Sequence, residues 1–386
     1  MKITKILGHH VRIPLLYPVK WSGGIRHSAP AYVLEVHTDE GIVGLGECVG
    51  PTIPTVATIV NEEFSQLLIN QDPLKTELLV RRIEEFSRNY LQLGAYAISG
   101  IEMALFDIKG KWLNVPVYEL LGGKCKNKVE YAGYLFIDEP ELNANRALEY
   151  KKQGYKELKL KVGRDLNQDA DTLAAIRDAI GNDIKIRIDA NMNWSVPTAI
   201  KWIKTLQKYN LQYVEQPIPD YDLDGLREVR RAVEVPIATD ESCTSVERVL
   251  EMIKRESCDV FVVYVSESGG LSRARTIASI ADACGKWCVM GTWAETGVAT
   301  IAGAHVIAST TNFAFSNDSH YMLQTDDIIG EPLQIVDGAI TLPEKPGLGV
   351  ELDYQKLEEF KKCDVRESVF YDDISDEEMP RIGRIM

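Results

Sequence analysis

Lys159-Leu160-Lys161 lies near the end of the run Tyr155–Val162 and sets two amines one residue apart. A strand sends alternate side chains to opposite faces, so Leu158, Leu160 and Val162 share one face while Lys159 and Lys161 leave together from the other. Two ammonium groups on one face repel, which favours the neutral amine and lowers a lysine pKa from its ordinary ~10.4. A neutral lysine serves as a general base near neutral pH. Alone, the tripeptide reads more simply as two solvated lysines on an edge strand. The residues that follow change that reading.

Lys161 is the first of a series. Lys161, Asp189, Glu215, Asp240 and Tyr264 stand 28, 26, 25 and 24 positions apart, each at the end of a short apolar run. That interval is about one strand plus one helix, so the five side chains recur at the same end of successive strands. Three carboxylates converging there repel unless a cation lies between them. Hard oxygen ligands suit Mg²⁺, with water and substrate oxygens completing an octahedron, and Mn²⁺ is the usual substitute. A divalent ion holding a substrate carboxylate stabilises the charge that develops when the adjacent carbon loses its proton. Lys161, one strand before the first acid, is placed to take that proton. Lys159 beside it is expected to lower its pKa and to contact the carboxylate. The reaction class is proton abstraction α to a carboxylate through a stabilised enediolate.

The elements that must position these groups read as two patterns. Ile3–Arg12, Ala31–Thr38 and Ile42–Glu47 are strands, with Lys20–Ser28 a glycine-containing mobile loop between the first two. Pro54–Gln71, Pro73–Leu93 and Ile98–Trp112 have helical apolar spacing. Strands followed by helices make an α+β cap over residues 1–125. Strand and helix then alternate. Val129–Leu135, Glu157–Lys161, Ile184–Asp189, Gln212–Glu215, Pro236–Asp240, Val260–Tyr264, Trp287–Gly291 and Asn312–Ser316 are short apolar runs, most of them separated by helical segments. Eight such units indicate a (β/α) barrel over residues 126–330, whose C-terminal strand ends gather catalytic groups. Residues 331–386, with a short strand pair around Asp337-Gly338, return to the cap.

Composition narrows the partners. The chain has 386 residues and a formal net charge of -14, which argues against nucleic acid or an anionic membrane surface. No apolar run reaches membrane-spanning length, and the N-terminus lacks a signal-peptide core. Seven scattered cysteines without paired metal-ligand spacing read as free thiols of a cytoplasmic protein.

With these residues in view, the chain resembles the enolase superfamily, in the mandelate racemase/muconate lactonizing enzyme family and its K-x-K subgroup. Gly44-Leu45-Gly46-Glu47 resembles the family's cap turn, and Ser99–Lys111 with Pro116–Gly123 is similar to its helix entering the barrel. Lys159-Leu160-Lys161, Asp189-Ala190-Asn191, Glu215-Gln216-Pro217 and Asp240-Glu241-Ser242 match its K-x-K and ligand strands. Gly269-Gly270-Leu271, Glu295-Thr296-Gly297 and Pro346–Gly349 complete the series. The resemblance implies a modified (β/α)7β TIM barrel under an α+β capping domain completed by the C-terminal segment, a small carboxylate substrate, and a homo-oligomer.

One position departs from the family pattern. The subgroup's second lysine, before Gly269-Gly270, is replaced by Tyr264, on the same face as Val260 and Val262. A phenol donates a hydrogen bond or a proton but brings no positive charge. This puts a two-lysine racemase mechanism in doubt and leaves one-base reactions standing. Trp21 and Arg26, in the cap loop, together with Asn191, Trp293 and Glu295 form the expected substrate-binding set. Glu241 is expected to point away from the ligands and support them from behind, and Asp318 is a further acid near the eighth strand end. The favoured function is an isomerase, a cycloisomerase or a racemase/epimerase acting on a small carboxylic acid or amino-acid derivative. A dehydratase using Lys161 as its single base is the alternative. A barrel without activity does not explain why Lys161 keeps company with all three acids, and a Schiff-base aldolase gives the acids no task.

Overall fold

A computed structural model describes residues 1–364 and the backbone of 368–369; the remainder of the expected C-terminal segment lies outside the described residues. The chain opens with β1 (Ile3–Trp21), β2 (Gly24–Thr38) and β3 (Val43–Cys48), an antiparallel sheet. β1 and β2 pair almost to the tip, where Trp21 faces Gly24 across Ser22-Gly23. The mobile loop expected over Lys20–Ser28 is therefore a hairpin end. Ser22-Gly23-Gly24 gives the segment its loop composition, but Ser22-Gly23 alone makes the turn, and pairing, irregular between Pro14 and Val19, resumes at Val19–Arg26.

The first expected helix is an α-helix, a π-helical turn over Ile59–Phe64 and a second α-helical piece ending at Leu68. The helices Thr76–Ser87 and Gln92–Leu113 follow, separated where Leu91 takes a positive φ of 51°. The Gln92–Leu113 helix lies directly on β3. A Cβ on Gly46 would meet the carbonyl oxygen of Gly100 at 1.9 Å, so the glycines of Gly44-Leu45-Gly46-Glu47 are what allow this contact.

The second part is a barrel. β4 (Lys128–Glu130) stands outside it, whereas β5 (Gly133–Leu135), β6 (Glu157–Lys161), β7 (Lys185–Asp189), β8 (Leu211–Glu215), β9 (Ile237–Thr239), β10 (Val260–Val263) and β11 (Trp287–Met290) form one parallel sheet in sequential order. The first expected strand is thus split at Tyr131-Ala132. The eighth, Asn312–Ser316, forms no regular strand. It closes the ring through single parallel bridges, Cys288 with Phe313 and Tyr131 with Asn317. Side-chain amides replace part of the ladder there: Asn317 Oδ1 accepts from Met290 N and its Nδ2 donates to Glu130 O.

Seven strand–helix units and one further stave make a (β/α)7β barrel beneath an α+β cap. The unit after β11 contains a helix, Gly297–Ala308, whose residues are all buried and which carries no apolar stripe to read. Inside the ring, Tyr213, Ala238, Val260, Val262, Tyr264 and Val289 pack together. β12 (Ile335–Val336) and β13 (Ala339–Thr341) form the short pair about Asp337-Gly338, and β13 pairs with β4. Beyond it Tyr354 Oη donates to Glu35 Oε2 in β2 at 2.7 Å, and β14 (Ser368–Val369) pairs with Arg26 and Ile25.

Candidate active site

Strand register brings the reactive side chains to one level. Lys161 is opposite Asp189, and Asp189 is opposite Glu215, on three adjacent strands. Asp240 follows β9 directly and Tyr264 follows β10. All lie at the C-terminal end of the barrel, where a cleft of about 200 Å³ opens beneath the β1–β2 hairpin tip. The tip is fixed to the barrel rim: Ile137 N donates to Lys20 O, and Ser22 Oγ donates to Ala190 O at 3.0 Å.

Asp189, Glu215 and Asp240 are buried and offer one oxygen each, all within 4.8 Å of one another. In an octahedron with Mg–O of about 2.1 Å, neighbouring ligands stand roughly 3 Å apart and opposed ones about 4.2 Å, so the cluster fits the ion. Glu215 Oε2 has no hydrogen-bond partner among the described residues. Burial pushes Glu215 and Asp240 far above the carboxylate range, and the neighbouring acids push in the same direction. Burial would raise Asp189 as well, but the ammonium groups of Lys161 and Lys159 outweigh it and hold that carboxyl low. Such a set is satisfied by a divalent cation and poorly by protons.

Lys161 Nζ stands at the cleft wall, 2.6 Å from Asp189 Oδ2 and 3.0 Å from Asn191 Oδ1. Lys159 occupies a different place from the one expected. It is 1% exposed and does not line the cleft. Its ammonium donates to Glu215 Oε1 and to Asp318 Oδ2 at 2.7 Å, and lies 3.2 Å from Asp189 Oδ2. Burial opposes its charge, but these carboxylates outweigh burial and hold it firmly protonated. It is a fixed cation under the acids, because its side chain starts one layer deeper in the barrel than that of Lys161.

Tyr264 lines the cleft and donates to Asp240 Oδ2 at 3.0 Å. Its strand and that of Lys161 are four staves apart by either route, which sets them across the ring from one another. Burial raises the phenol well above 10, with the carboxylates of Asp240 and Glu267 adding to it, so the hydroxyl keeps its proton.

Of the expected substrate residues, Trp21, Arg26, Asn191 and Trp293 line the cleft. The Arg26 guanidinium carbon lies 5.8 Å from the Trp21 ring and 5.7 Å from the Trp293 ring, and its Nη1 donates to Trp293 O at 2.8 Å. Glu295 does not reach the cleft. Its carboxylate accepts from Thr292 Oγ1 and Trp293 N, bracing the turn after β11, and it borders a separate small cavity between cap and barrel. Glu241 departs from expectation in the other direction. It lines the cleft and accepts from Asn191 Nδ2 at 3.0 Å, because strand alternation lapses once β9 has ended at Thr239.

Sequence reasoning missed four residues. Arg187, fully buried, donates to Asp318 Oδ1 and to Glu157 Oε2 and so clamps the acid that also holds Lys159. Its parity with Asp189 on β7 was a usable signal. Tyr134 stands in register with Lys159 and presents its ring 5.5 Å from that ammonium. Glu267, in the short helix Val265–Ser268, and His320, in the segment after the eighth stave, line the cleft beyond their strands, where no period marks them. Burial pushes Glu267 up to about 7, while its hydrogen bond from Trp293 Nε1, 2.6 Å, pulls the other way.

Comparison with known proteins agrees with this geometry. Residues 3–122 match the family described as mandelate racemase/muconate lactonizing enzyme, N-terminal domain, and residues 143–356 match an enolase C-terminal domain-like family. A hydrophobic dipeptide epimerase of Enterococcus faecalis is 34% identical over 91% of this chain and 99% of its own. An N-succinyl-L-Arg/Lys racemase of Bacillus cereus is 31% identical over 93% and 98%, and muconate cycloisomerase 1 of Acinetobacter baylyi is 32% identical over 91% and 97%. The crystal structure of the Enterococcus epimerase, complexed with Mg and the dipeptide L-Leu-L-Tyr, superposes with a TM-score of 0.84 over 91% of this chain and 100% of that one. No helix among the described residues is long and apolar enough to cross a membrane.

Proposed function

The chain belongs to the mandelate racemase/muconate lactonizing enzyme family, as an isomerase of the muconate cycloisomerase/racemase type, and we propose that Lys161 is the base that removes the proton α to the carboxylate of a small organic acid. The observation that carries this reading is the position of Lys161 Nζ, at the cleft wall and 2.6 Å from one acid of the three-acid cluster. Asp189, Glu215 and Asp240 hold Mg²⁺ in this reading, with Mn²⁺ able to replace it. When bound, the ion offsets the charge that grows on the substrate carboxylate as its α-carbon loses the proton.

The chain's own groups divide the rest. Lys161 takes the proton and carries it, and Asn191 Oδ1 orients the amine. Lys159 and Arg187 stay charged beneath the floor and offset part of the acids' charge. Across the ring stands a phenol bonded to Asp240, and among the described residues lining the cleft Lys161 is the single lysine, which supports chemistry on one face of the substrate. A cycloisomerase needs no more than that, since one group can remove or deliver the single proton involved. A two-lysine racemase needs a second amine.

The test is to incubate the protein with Mg²⁺ and a panel of carboxylic acids, N-acyl amino acids and dipeptides in heavy water. The expected result is deuterium at the α-carbon of one substrate class and a product isomeric with its substrate. A chelator should stop the reaction, and Mn²⁺ should restore it. Loss of water from the product would establish the dehydratase instead. Exchange that continues undiminished without divalent metal would overturn the proposal.

A further inference from the structure

We infer that the C-terminal strand β14 is a positioning element for the roof of the cleft. By pairing with Ile25 and Arg26 it holds the β1–β2 hairpin tip in place above the reacting groups.

The tip is a small structure that needs fastening. β1 and β2 pair irregularly between Pro14 and Val19, and beyond that point the hairpin consists of three facing pairs, Val19 with Arg26, Lys20 with Ile25 and Trp21 with Gly24. A two-stranded ribbon of this length is marginal in water without a third strand or a packing surface. Yet it supplies Val19, Trp21, Gly23 and Arg26 to the cleft. On β1 and at the apex the barrel holds it, through Lys20 O and Ser22 Oγ. The other edge of β2 is held differently. β3 covers that edge from Tyr32 to His37 and stops short of Ile25 and Arg26. β14 takes up the edge where β3 leaves it, antiparallel, with Ser368 opposite Arg26 and Val369 opposite Ile25.

The C-terminal segment therefore grips β2 at two places. The first is at the base of the hairpin, where the helix Tyr354–Phe360 packs on β1, buries Leu357 and Phe360, and ties Tyr354 Oη to Glu35 Oε2. The second is β14, nine residues along β2 at Arg26, or about 30 Å away, past the irregular stretch. A tip paired on both edges cannot swing from the cleft without breaking backbone hydrogen bonds. β14 lies beyond residues 143–356, the stretch matched to the barrel family, so the second grip is made by residues outside that match.

The test follows amide hydrogen exchange over Val19–Arg26 in the parent, in a chain ending at Asp364, and in Ser368→Pro/Val369→Pro. The prolines remove both N–H groups of β14 and break its pairing. Exchange at the tip should be about tenfold faster in both altered chains, as loss of one backbone hydrogen bond predicts, with the barrel strands unchanged. Exchange needs no substrate, so this result stands apart from the carboxylate reading. With the acid that the heavy-water panel selects, KM should rise about fivefold in both, and kcat should stay within twofold, since the reacting groups belong to the barrel. Tip exchange equal to the parent's in the proline variant would overturn the inference even if truncation had an effect, which would then belong to other residues. Faster exchange throughout the chain, with a lowered melting temperature, would make β14 an ordinary stabilising strand and overturn it too. Faster tip exchange with an unchanged KM would overturn the positioning role. If no acid turns over in the parent, the carboxylate reading fails, and tip exchange still decides whether β14 holds the hairpin.

Discussion

Glu47, Glu102 and Asp107, at the seam between cap and barrel, are as deeply buried as Asp189, Glu215 and Asp240 at the strand ends, but the two sets are satisfied in opposite ways. Each seam acid has donors of its own. Glu47 accepts from Thr296 N, Thr296 Oγ1 and Ala299 N at the start of the Gly297–Ala308 helix. Asp107 accepts from Leu45 N, Leu348 N and Lys111 Nζ, and Glu102 from Ser272 N. The strand-end acids instead face one another within 4.8 Å, with Lys159 reaching Asp189 and Glu215 and Lys161 reaching Asp189. Burial alone therefore does not mark a functional acid. What marks it is a set of oxygens turned toward each other with too few donors, an arrangement that costs stability unless a ligand completes it.

That contrast predicts opposite outcomes for substitutions that look alike. Glu215→Gln should reduce turnover on the order of a thousandfold, since it removes an electrostatic contributor to the transition state. The metal-free protein should melt no lower than the parent, because one of three repelling acids is gone. A melting temperature that falls while turnover stays within tenfold would put Glu215 with the seam acids. Asp107→Ala should do the reverse. It leaves two buried N–H groups unmatched and should cost about 3 kcal/mol of stability in denaturant titrations, with activity per folded molecule retained.

Tyr264→Phe tests a neutral side-chain donor to a strand-end acid; among the described residues the backbone N–H of Asn191, which donates to Asp189 Oδ1 at 2.9 Å, is another neutral donor to the set. Removing its bond to Asp240 should weaken Mg²⁺ binding or turnover roughly tenfold, in keeping with one buried hydrogen bond. If two-face chemistry operates, exchange from one substrate enantiomer should vanish and the other continue. If one face operates, one enantiomer should already be inert in the parent. The smallest effect belongs to the seam. Burial lowers His305 to about 4, its hydrogen bond to Leu348 O pulling the other way, whereas the unfolded chain protonates at its ordinary value of 6.5. Stability from this group is therefore full above pH 6.5 and lost as pH falls toward 4. His305→Gln should show a shallower decline of melting temperature over that window, and a slope identical to the parent's would remove His305 from the account.

The strand-end acids were legible because a barrel repeats one strand and one helix at a nearly constant interval, and strand parity sends each terminal side chain to the same place. Parity also carries Arg187, on the face of Asp189, and Tyr134, in register with Lys159. Beyond the strand ends it lapses, which is why Glu241 turns into the cleft and His320 and Glu267 went unmarked. The hairpin at Trp21–Gly24 is obscured because Ser22-Gly23-Gly24 has the composition of a longer loop, whereas two of its residues suffice for the turn. The Gly297–Ala308 helix, apolar on every side, has no period to detect. The eighth stave hides because asparagine side chains stand in for backbone bonds. Lys159 shows the limit of parity itself: it gave the correct face, but not the depth that separates a base in the cleft from a cation beneath it.

The central claim is that Lys161, above an acid-bound Mg²⁺, removes the α-proton. Deuterium uptake at the α-carbon of a substrate acid, followed in heavy water with saturating Mg²⁺ for the parent and for Lys161→Ala, tests it most directly. The account predicts uptake by the parent and a loss of roughly 10²–10⁴-fold or more in the variant, with its fold and metal affinity intact. Uptake by Lys161→Ala at the parent's rate would contradict it.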